Sequence, residues 1–137
     1  MDVSALLIAA QSVDFAARSA AENQLKLFHE QNFPVYIGCI ATELATPTKP
    51  LDSRRMAGIL LKTMLTAKEE ARKQQLHARW VALDPALKQH VRDALLATLT
   101  TEAKEVRHAA AMALAAVAAV DLPRKVSGWT DRQTMST

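Results

Sequence analysis

The stretch from Asp52 to Trp80 constrains the fold most, because its apolar residues recur at helical rather than strand spacing. Charged residues such as Arg54, Arg55 and Lys62 occupy the rest of the helix surface. A glycine inside a helix costs about 1 kcal/mol relative to alanine, so Gly58 predicts that a neighbouring helix comes close there. The predicted apolar stripe consists of Met56, Ile59, Leu60, Met64 and Leu65.

The same stretch carries a signal for an interruption. Thr66 and Glu69 have the spacing of a capping box, which predicts that a second helical segment restarts at Thr66 after a bend. Asp52 or Ser53 is suited to cap the start of the first segment. We expect the second segment to end between Trp80 and Leu83.

The composition extends the helical prediction to the whole chain. The 137 residues are enough for one domain with a modest core, and half are hydrophobic although only 4% are aromatic. Much of the apolar content is alanine and leucine, and runs of β-branched residues are almost absent. The sequence therefore predicts an all-α fold.

Cap and proline signals divide the remaining chain into helices. Asp84 followed by Pro85 is a sharp helix start, and Ser12 or Asp14 is suited to cap an earlier helix. The predicted helices outside the central stretch span Val3–Ala10, Asp14–Gln31, the segment from Phe33-Pro34 to Ala45, Asp84–Thr98 and Thr101–Val120.

A weakly repeated sequence pattern favours stacked helix pairs. Arg18, Arg55 and Arg107 each precede small residues, in the first helix of successive predicted pairs about 40 to 50 residues apart. This indicates antiparallel helix pairs stacked as an α-solenoid, in the HEAT and armadillo range. On pattern alone, a plain helical bundle remains open as an alternative.

Charge and motif content argue against several functions. The net charge is only +3 and the basic residues are dispersed, which is atypical of a nucleic-acid-binding protein. The four histidines are far apart in sequence, there is one thiol, at Cys39, and the three glycines are isolated. These features predict no metal, no cofactor and no enzymatic activity.

Neither the amino terminus nor the alanine-rich run predicts a membrane or secretory segment. The first ten residues contain Asp2 and lack a basic region, and the run Ala109–Val120 is too short to span a bilayer. A single cysteine, which we expect to be buried in the core, favours a reducing intracellular setting. No membrane insertion is expected.

Three segments together resemble the amino-terminal region of importin-β. They are Arg-Met-Ala-Gly-Ile-Leu-Leu-Lys-Thr-Met-Leu-Thr-Ala-Lys at 55–68, Arg-Trp-Val-Ala-Leu-Asp at 79–84, and Ala-Ala-Val-Ala-Ala-Val-Asp-Leu-Pro at 115–123 followed by Trp129. The family has Ala-Gly-Leu-x-Leu-Lys-Asn-x-Leu-x-Ser-Lys, then Gln-Arg-Trp, then an Ile-Ala-x-Ile-Glu-Leu-Pro-like run before a Trp. The order and spacing agree from about Asp14 to Trp129. The chain departs from the family pattern at Thr63, Ala67 and Glu69.

The resemblance implies a nuclear import receptor built of HEAT repeats, whose amino-terminal repeats bind the small GTPase Ran in its GTP form. Residues 1–129 would form an importin-β-like domain of about two and a half repeats, and 130–137 a polar tail at the end of a truncated fragment. Cargo, an importin-α-type adaptor and nucleoporins would bind through repeats beyond this chain. The expected location is cytoplasm, nucleus and the nuclear pore. The alternative is a HEAT or armadillo scaffold outside the karyopherins that binds other proteins.

In the family, the second helices of the repeats line the concave side and contact Ran. Here they are the helices beginning at Phe33 and Asp84. In the latter, Lys88 and Arg92 lie four residues apart with no carboxylate three or four residues from Arg92 to neutralise it, which suits an acidic partner. Lys62 and Lys68 match lysines of the family motif and are the other candidate Ran contacts, whereas Trp80 is assigned to packing.

The last predicted helix raises the prospect of self-association. An alanine-rich helix without the partner that completes its pair exposes an apolar face. We therefore expect this chain to self-associate.

Overall fold

The computed structural model describes the backbone of residues 3–136 and the side chains of residues 3–121. Within this range the chain forms seven α-helices and no β-strand, in agreement with the all-α prediction. The helices are α1 (Val3–Ala9), α2 (Phe15–Gln31), α3 (Phe33–Ala45), α4 (Leu51–Thr63), α5 (Glu70–Val81), α6 (Pro85–Thr98) and α7 (Lys104–Ser136).

Five of the seven helices stack in two layers, as expected for a solenoid. One layer contains α1, α4 and α7, with α4 packed between the other two. The second contains α3 and α6 side by side, and it packs on the first through α3 against α4 and α6 against α7. The continuous core between the layers includes Ile40, Leu44, Leu61, Leu95, Val106 and Ala110.

The repeated pattern of an arginine before small residues does not mark helices in equivalent positions. Arg18 lies on α2, which packs against α1 and α3, whereas Arg55 and Arg107 lie on α4 and α7. The neighbour of α4 in its layer is α1. The stacking prediction holds, but its assignment of α2 to the α4 layer is wrong because alanine-rich helices share short patterns without sharing a position.

The stretch from Asp52 to Trp80 forms two separate helices, α4 and α5. The predicted capping box is wrong: the Thr66 hydroxyl donates to the Lys62 carbonyl at 3.0 Å, and Glu69 occupies the N-cap position of α5 without a side-chain cap hydrogen bond. Thr66 thus satisfies a carbonyl at the end of α4 instead of starting α5.

The start of α4 also differs from the prediction. Pro50 holds its N-cap position and makes no side-chain cap hydrogen bond. The Ser53 side chain is buried and donates to Glu43 Oε2 at 2.6 Å and to the Pro50 carbonyl at 2.9 Å. Neither Asp52 nor Ser53 therefore caps the helix.

Met64 and Leu65 of the predicted stripe are buried as predicted, but within α4 itself the buried face is rotated from that stripe. Ala57, Gly58 and Leu61 are buried, whereas Ile59 is 37% exposed. The difference arises because α4 packs against three helices and presents its small residues where they approach most closely. The prediction for Gly58 is confirmed: a Cβ atom added there would lie 2.7 Å from the Ala109 Cβ of α7.

Two predicted helix starts are confirmed by their hydrogen bonds. Asp84 accepts from the Ala86 amide at 2.8 Å, with Pro85 in the first turn of α6. Asp14 accepts from the Ala16 amide at 3.2 Å at the start of α2. Both depend on neighbours in sequence, which is why the pattern predicts them.

The last helix does not end at Val120. The backbone of α7 stays helical from Lys104 through Pro123 to Ser136. Proline removes one helical hydrogen bond and usually ends a helix, but the alanine-rich segment before it has high helix propensity. The side chains of the predicted tail at 130–137 lie outside the described ones.

Candidate partner-binding surface

The layer of α3 and α6 presents a groove of about 630 Å³. One part of the groove is apolar, where Val35 is 50% exposed. Another part is polar, where Thr42 Oγ1 of α3 lies 3.1 Å from His90 Nε2 of α6. The groove is lined by Val35, Gly38, Cys39, Thr42, Leu87 and His90, among others. Cys39, expected in the core, is a free, partly exposed thiol on this groove.

Lys88 lies in the first turn of α6, next in sequence to the groove-lining Leu87, and is partly buried. Its ammonium donates to the Val81 carbonyl at 3.0 Å. Val81 is the last residue of α5, and a cation at a helix carboxyl terminus is favoured by the helix dipole. The Lys88 side chain thus connects α6 to the end of α5 and remains partly exposed to solvent.

Arg92 is paired, contrary to prediction. Its Nε and Nη2 atoms both lie 3.0 Å from Asp121 Oδ2. The prediction was wrong because it took account only of carboxylates within one helical turn of Arg92, whereas Asp121 lies on α7.

The Trp80 indole nitrogen donates to the other carboxylate oxygen of Asp121 at 3.1 Å. Trp80 is completely buried, which confirms its assignment to packing. The guanidinium of Arg92 lies 5.7 Å from its ring centroid, within the range of a cation–π contact. Asp121 therefore connects α5, α6 and α7.

The other two candidate residues lie elsewhere. Lys62 is on α4 and lines a second groove together with Lys104 of α7. Lys68 is exposed in the connection between α4 and α5. The four candidates thus occupy three separate places, with Lys88 and Arg92 together on α6.

Sequence inspection missed a buried carboxylate. Glu43 is 4% exposed and accepts hydrogen bonds from Ser4 at 2.8 and 2.7 Å and from Ser53 at 2.6 Å, while Lys49 Nζ lies 3.9 Å away. It connects α3 to α1 and α4. Because its partners are distant in sequence, no local pattern predicts them.

Arg54 is also buried, although it was assigned to the polar face of α4. Its Nε donates to the Leu44 carbonyl at 2.9 Å, and both terminal nitrogens lie 3.5 Å from Thr101 Oγ1. Burial lowers the pKa of its guanidinium. These contacts satisfy a carbonyl near the end of α3, which explains why a charge is tolerated there.

A further cluster, of charged and aromatic side chains, joins α2, α3 and α5. The guanidinium of Arg79 lies 3.8 Å from the Phe33 ring centroid, and His29 stacks at an angle on Tyr36 with centroids 5.0 Å apart. Burial raises the pKa of Tyr36 to about 12. Burial, with the charges of Arg79 and Arg72, lowers the pKa of His29.

Among the described residues, no group of three or more histidine, cysteine or acidic side chains is placed to hold a metal ion. Within the same range, no helix has both the length and the apolar character needed to cross a bilayer.

Comparison with known proteins shows the family. Residues 21–101 match the model of the importin-β N-terminal domain. The chain belongs to the importin-β N-terminal domain family. This membership decides against a scaffold outside the karyopherins. It also accounts for the stacked helices, since a crystal structure of importin-β matches this fold with a TM-score of 0.86 and 35% identity, over 91% of this chain and 15% of that one.

Individual relatives agree with the family match. The chain is 46% identical to importin subunit beta-1 of Arabidopsis thaliana over 125 residues, which are 91% of this chain and 14% of that protein. It therefore spans about one-seventh of that relative.

Two solved structures of Kap95p, the yeast importin-β, are similar over the same region. One concerns Kap95p binding that induces the switch loops of RanGDP to adopt the GTP-bound conformation: 29% identity, a TM-score of 0.86, and coverage of 90% of this chain and 15% of that one. The other is a Kap95:Nup1 complex, with 28% identity, a TM-score of 0.86 and the same coverage.

Proposed function

We propose that this chain is the amino-terminal part of a nuclear import receptor and that it binds Ran in its GTP form. The observation that carries the proposal is the family membership, together with the likeness to Kap95p in a structure concerned with Ran. The role is binding and transport and not catalysis.

The face that we propose for Ran is the layer of α3 and α6. Its groove has an apolar side at Val35 and is lined by Lys49, whose ammonium lies 3.9 Å from Glu43 Oε1. Lys88 lies outside the groove lining, on α6. A cation on the rim of an interface attracts an acidic partner and raises the association rate. Lys88 therefore contributes through its charge.

The remaining candidates act differently in this proposal. Arg92 shares its charge with Asp121, so its substitution reduces affinity less than that of Lys88. Lys62 lies on α4 and Lys68 follows it, outside the layer of α3 and α6, so they would contact Ran only if its surface extends beyond that layer. Single charge reversals at the four positions separate these contributions.

The functions of the whole receptor extend beyond this chain. Cargo or an importin-α-type adaptor, and nucleoporins, would bind through further repeats. The expected location follows from this role: cytoplasm, nucleus and the nuclear envelope at its pores.

Titration calorimetry with Ran tests the proposal. We expect the chain to bind Ran loaded with GTP more tightly than Ran loaded with GDP, and Lys88→Glu to weaken the binding. Equal affinity for the two nucleotide forms, or no heat with either, would contradict the proposal for this chain.

Self-association is a separate proposal. Ala111, Met112 and Ala115 form an exposed, mainly small and apolar strip on α7. A second copy covering this strip would remove it from water. Sedimentation velocity over a range of concentrations should show a concentration-dependent increase in size, and a constant monomeric value would exclude it.

A further inference from the structure

A second groove, of about 580 Å³, runs between α4 and α7 in the layer that does not contain α3 and α6. Its floor is the contact of Gly58 with Ala109, where the two helix backbones come close together. Because neither residue has a side chain beyond Cβ, larger neighbours form walls on either side. The helices thus leave a channel above their crossing.

The walls of this groove are apolar and accessible. Ile59 on α4 is 37% exposed and Met112 on α7 is 41% exposed. A methionine side chain is flexible and polarizable, so it adapts to different apolar partners. One aliphatic side chain of a partner would fit between these two residues.

The rim of the groove is cationic. Arg55 and Lys62 line it from α4, and Lys104 from α7, against one carboxylate, Glu105. Arg55 donates to Gln11 Oε1 at 2.7 Å, a neutral partner that leaves its charge uncompensated. Among the described side chains, neither lysine is in an ion pair within 4 Å. The groove therefore combines an apolar floor with excess positive charge.

We propose that the groove between α4 and α7 binds a short acidic peptide segment of a partner protein, with one aliphatic side chain inserted between Ile59 and Met112. Charge complementarity selects the acidic flanks, and the apolar walls select the inserted side chain. A nucleic acid fits less well, because no Phe, Tyr or Trp lines the groove for base stacking and its single aromatic ring is the imidazole of His108.

This inference is independent of Ran binding. Apart from Lys62, the residues that line the groove are not candidates for the Ran face. Met112 also belongs to the strip proposed for self-association, whereas Lys104 belongs to the groove alone. A variant at Lys104 therefore separates the two proposals, since it should leave the affinity for Ran unchanged.

The test uses fluorescence anisotropy of the chain with a labelled synthetic peptide, Glu-Asp-Glu-Leu-Asp-Glu-Asp, at low ionic strength. We expect saturable binding that weakens about tenfold in the double variant Lys62→Glu/Lys104→Glu and about as much when the peptide leucine is replaced by glycine. Met112→Asp should have a similar effect, whereas Lys88→Glu is the matched control and should have none. Circular dichroism verifies that the variants remain folded.

Three results would overturn the proposal. They are no saturable binding, equal binding by the glycine peptide, and competition by a single-stranded oligonucleotide that is as strong as competition by unlabelled peptide. Equally strong competition by the oligonucleotide would show that the groove recognises negative charge alone, as in nucleic acid, and not an acidic peptide with an apolar side chain. Amide chemical shift changes confined to α4 and α7 would support the assigned groove, and changes confined to α3 and α6 would contradict it.

Discussion

Gly58 of α4 and Ala109 of α7 define the closest approach of two layer helices: a Cβ atom on residue 58 would lie 2.7 Å from the Ala109 Cβ and 3.2 Å from the Ala109 carbonyl carbon. Backbone atoms cannot give way as the end of a flexible side chain can. A side chain at position 58 must therefore push the two helices apart.

The first prediction concerns Gly58→Ala. Alanine gains about 1 kcal/mol of helix propensity, but overpacking of a tight contact costs about 1–3 kcal/mol, so we expect net destabilisation. Urea denaturation monitored by circular dichroism measures it. Gly38→Ala is the matched control, because its Cβ would lie 3.3 Å from Leu87 Cδ1, a side-chain end that can move. Equal stability of the two variants would contradict the account.

The second prediction concerns Asp121. Asp121→Ala should cost about 1–2 kcal/mol, because it leaves the Arg92 guanidinium and the Trp80 indole N–H without their acceptor. The ion pair is partly exposed, with 31% and 21% of the two side chains accessible, so its share is reduced by solvent screening. Urea denaturation provides the free energies.

Asp121→Asn separates the two bonds. It removes the charge that Arg92 pairs with, but keeps an oxygen for the Trp80 donor. We expect it to lie between the wild type and the alanine variant in stability. An asparagine variant as unstable as the alanine variant would show that the indole hydrogen bond contributes nothing.

The third prediction concerns Glu43. Glu43→Ala should destabilise by about 1–3 kcal/mol, because it removes the acceptor of the Ser4 hydroxyl and one of the two acceptors of the Ser53 hydroxyl at the junction of α1, α3 and α4. Glu22→Ala is the control: its ion pair with Arg18 is 3.6 Å long and exposed, and its loss should change the free energy of unfolding by less than about 0.5 kcal/mol. Similar costs for the two variants would refute the role of Glu43.

The fourth prediction concerns pH. Burial and the charges of Arg79 and Arg72 lower the pKa of His29 in the folded state, so the unfolded state binds this proton more readily. The stability contributed by neutral His29 is therefore complete above the unfolded pKa of about 6.5 and is lost as pH falls through the lower folded value. Urea denaturation between pH 7.5 and pH 5 measures this loss.

His29→Gln provides the comparison, because it removes the titrating ring and keeps a polar side chain. The variant should lose less stability than the wild type over the same pH interval. Parallel curves would mean that another group causes the dependence.

Features held within a few residues were predictable from the sequence. The Asp84 and Asp14 caps follow from local chemistry. A glycine inside a helix also predicted the close approach at Gly58, but not its partner Ala109. Fold class and family also followed, because helical periodicity and a conjunction of short motifs survive wherever the chain is packed.

Features that depend on distant residues were not predictable. The partner of Arg92 is 29 residues away on another helix, and Glu43, which accepts a hydrogen bond from the buried Ser53 hydroxyl, is on α3. The rotation of the α4 face depends on which helices surround it, since burial of Arg54 rather than Ile59 follows from the positions of α3 and α7. Tertiary packing decides these points.

The central claim is that α3 and α6 present the face that binds Ran, and hydrogen–deuterium exchange tests it most directly. The chain is exchanged alone, with GTP-loaded Ran and with GDP-loaded Ran, and the peptides covering Phe33–Ala45 and Pro85–Thr98 are compared with those covering Leu51–Thr63. We predict protection of the α3 and α6 peptides that is greater with the GTP form. Protection confined to α4, or equal with the two nucleotide forms, would contradict the account.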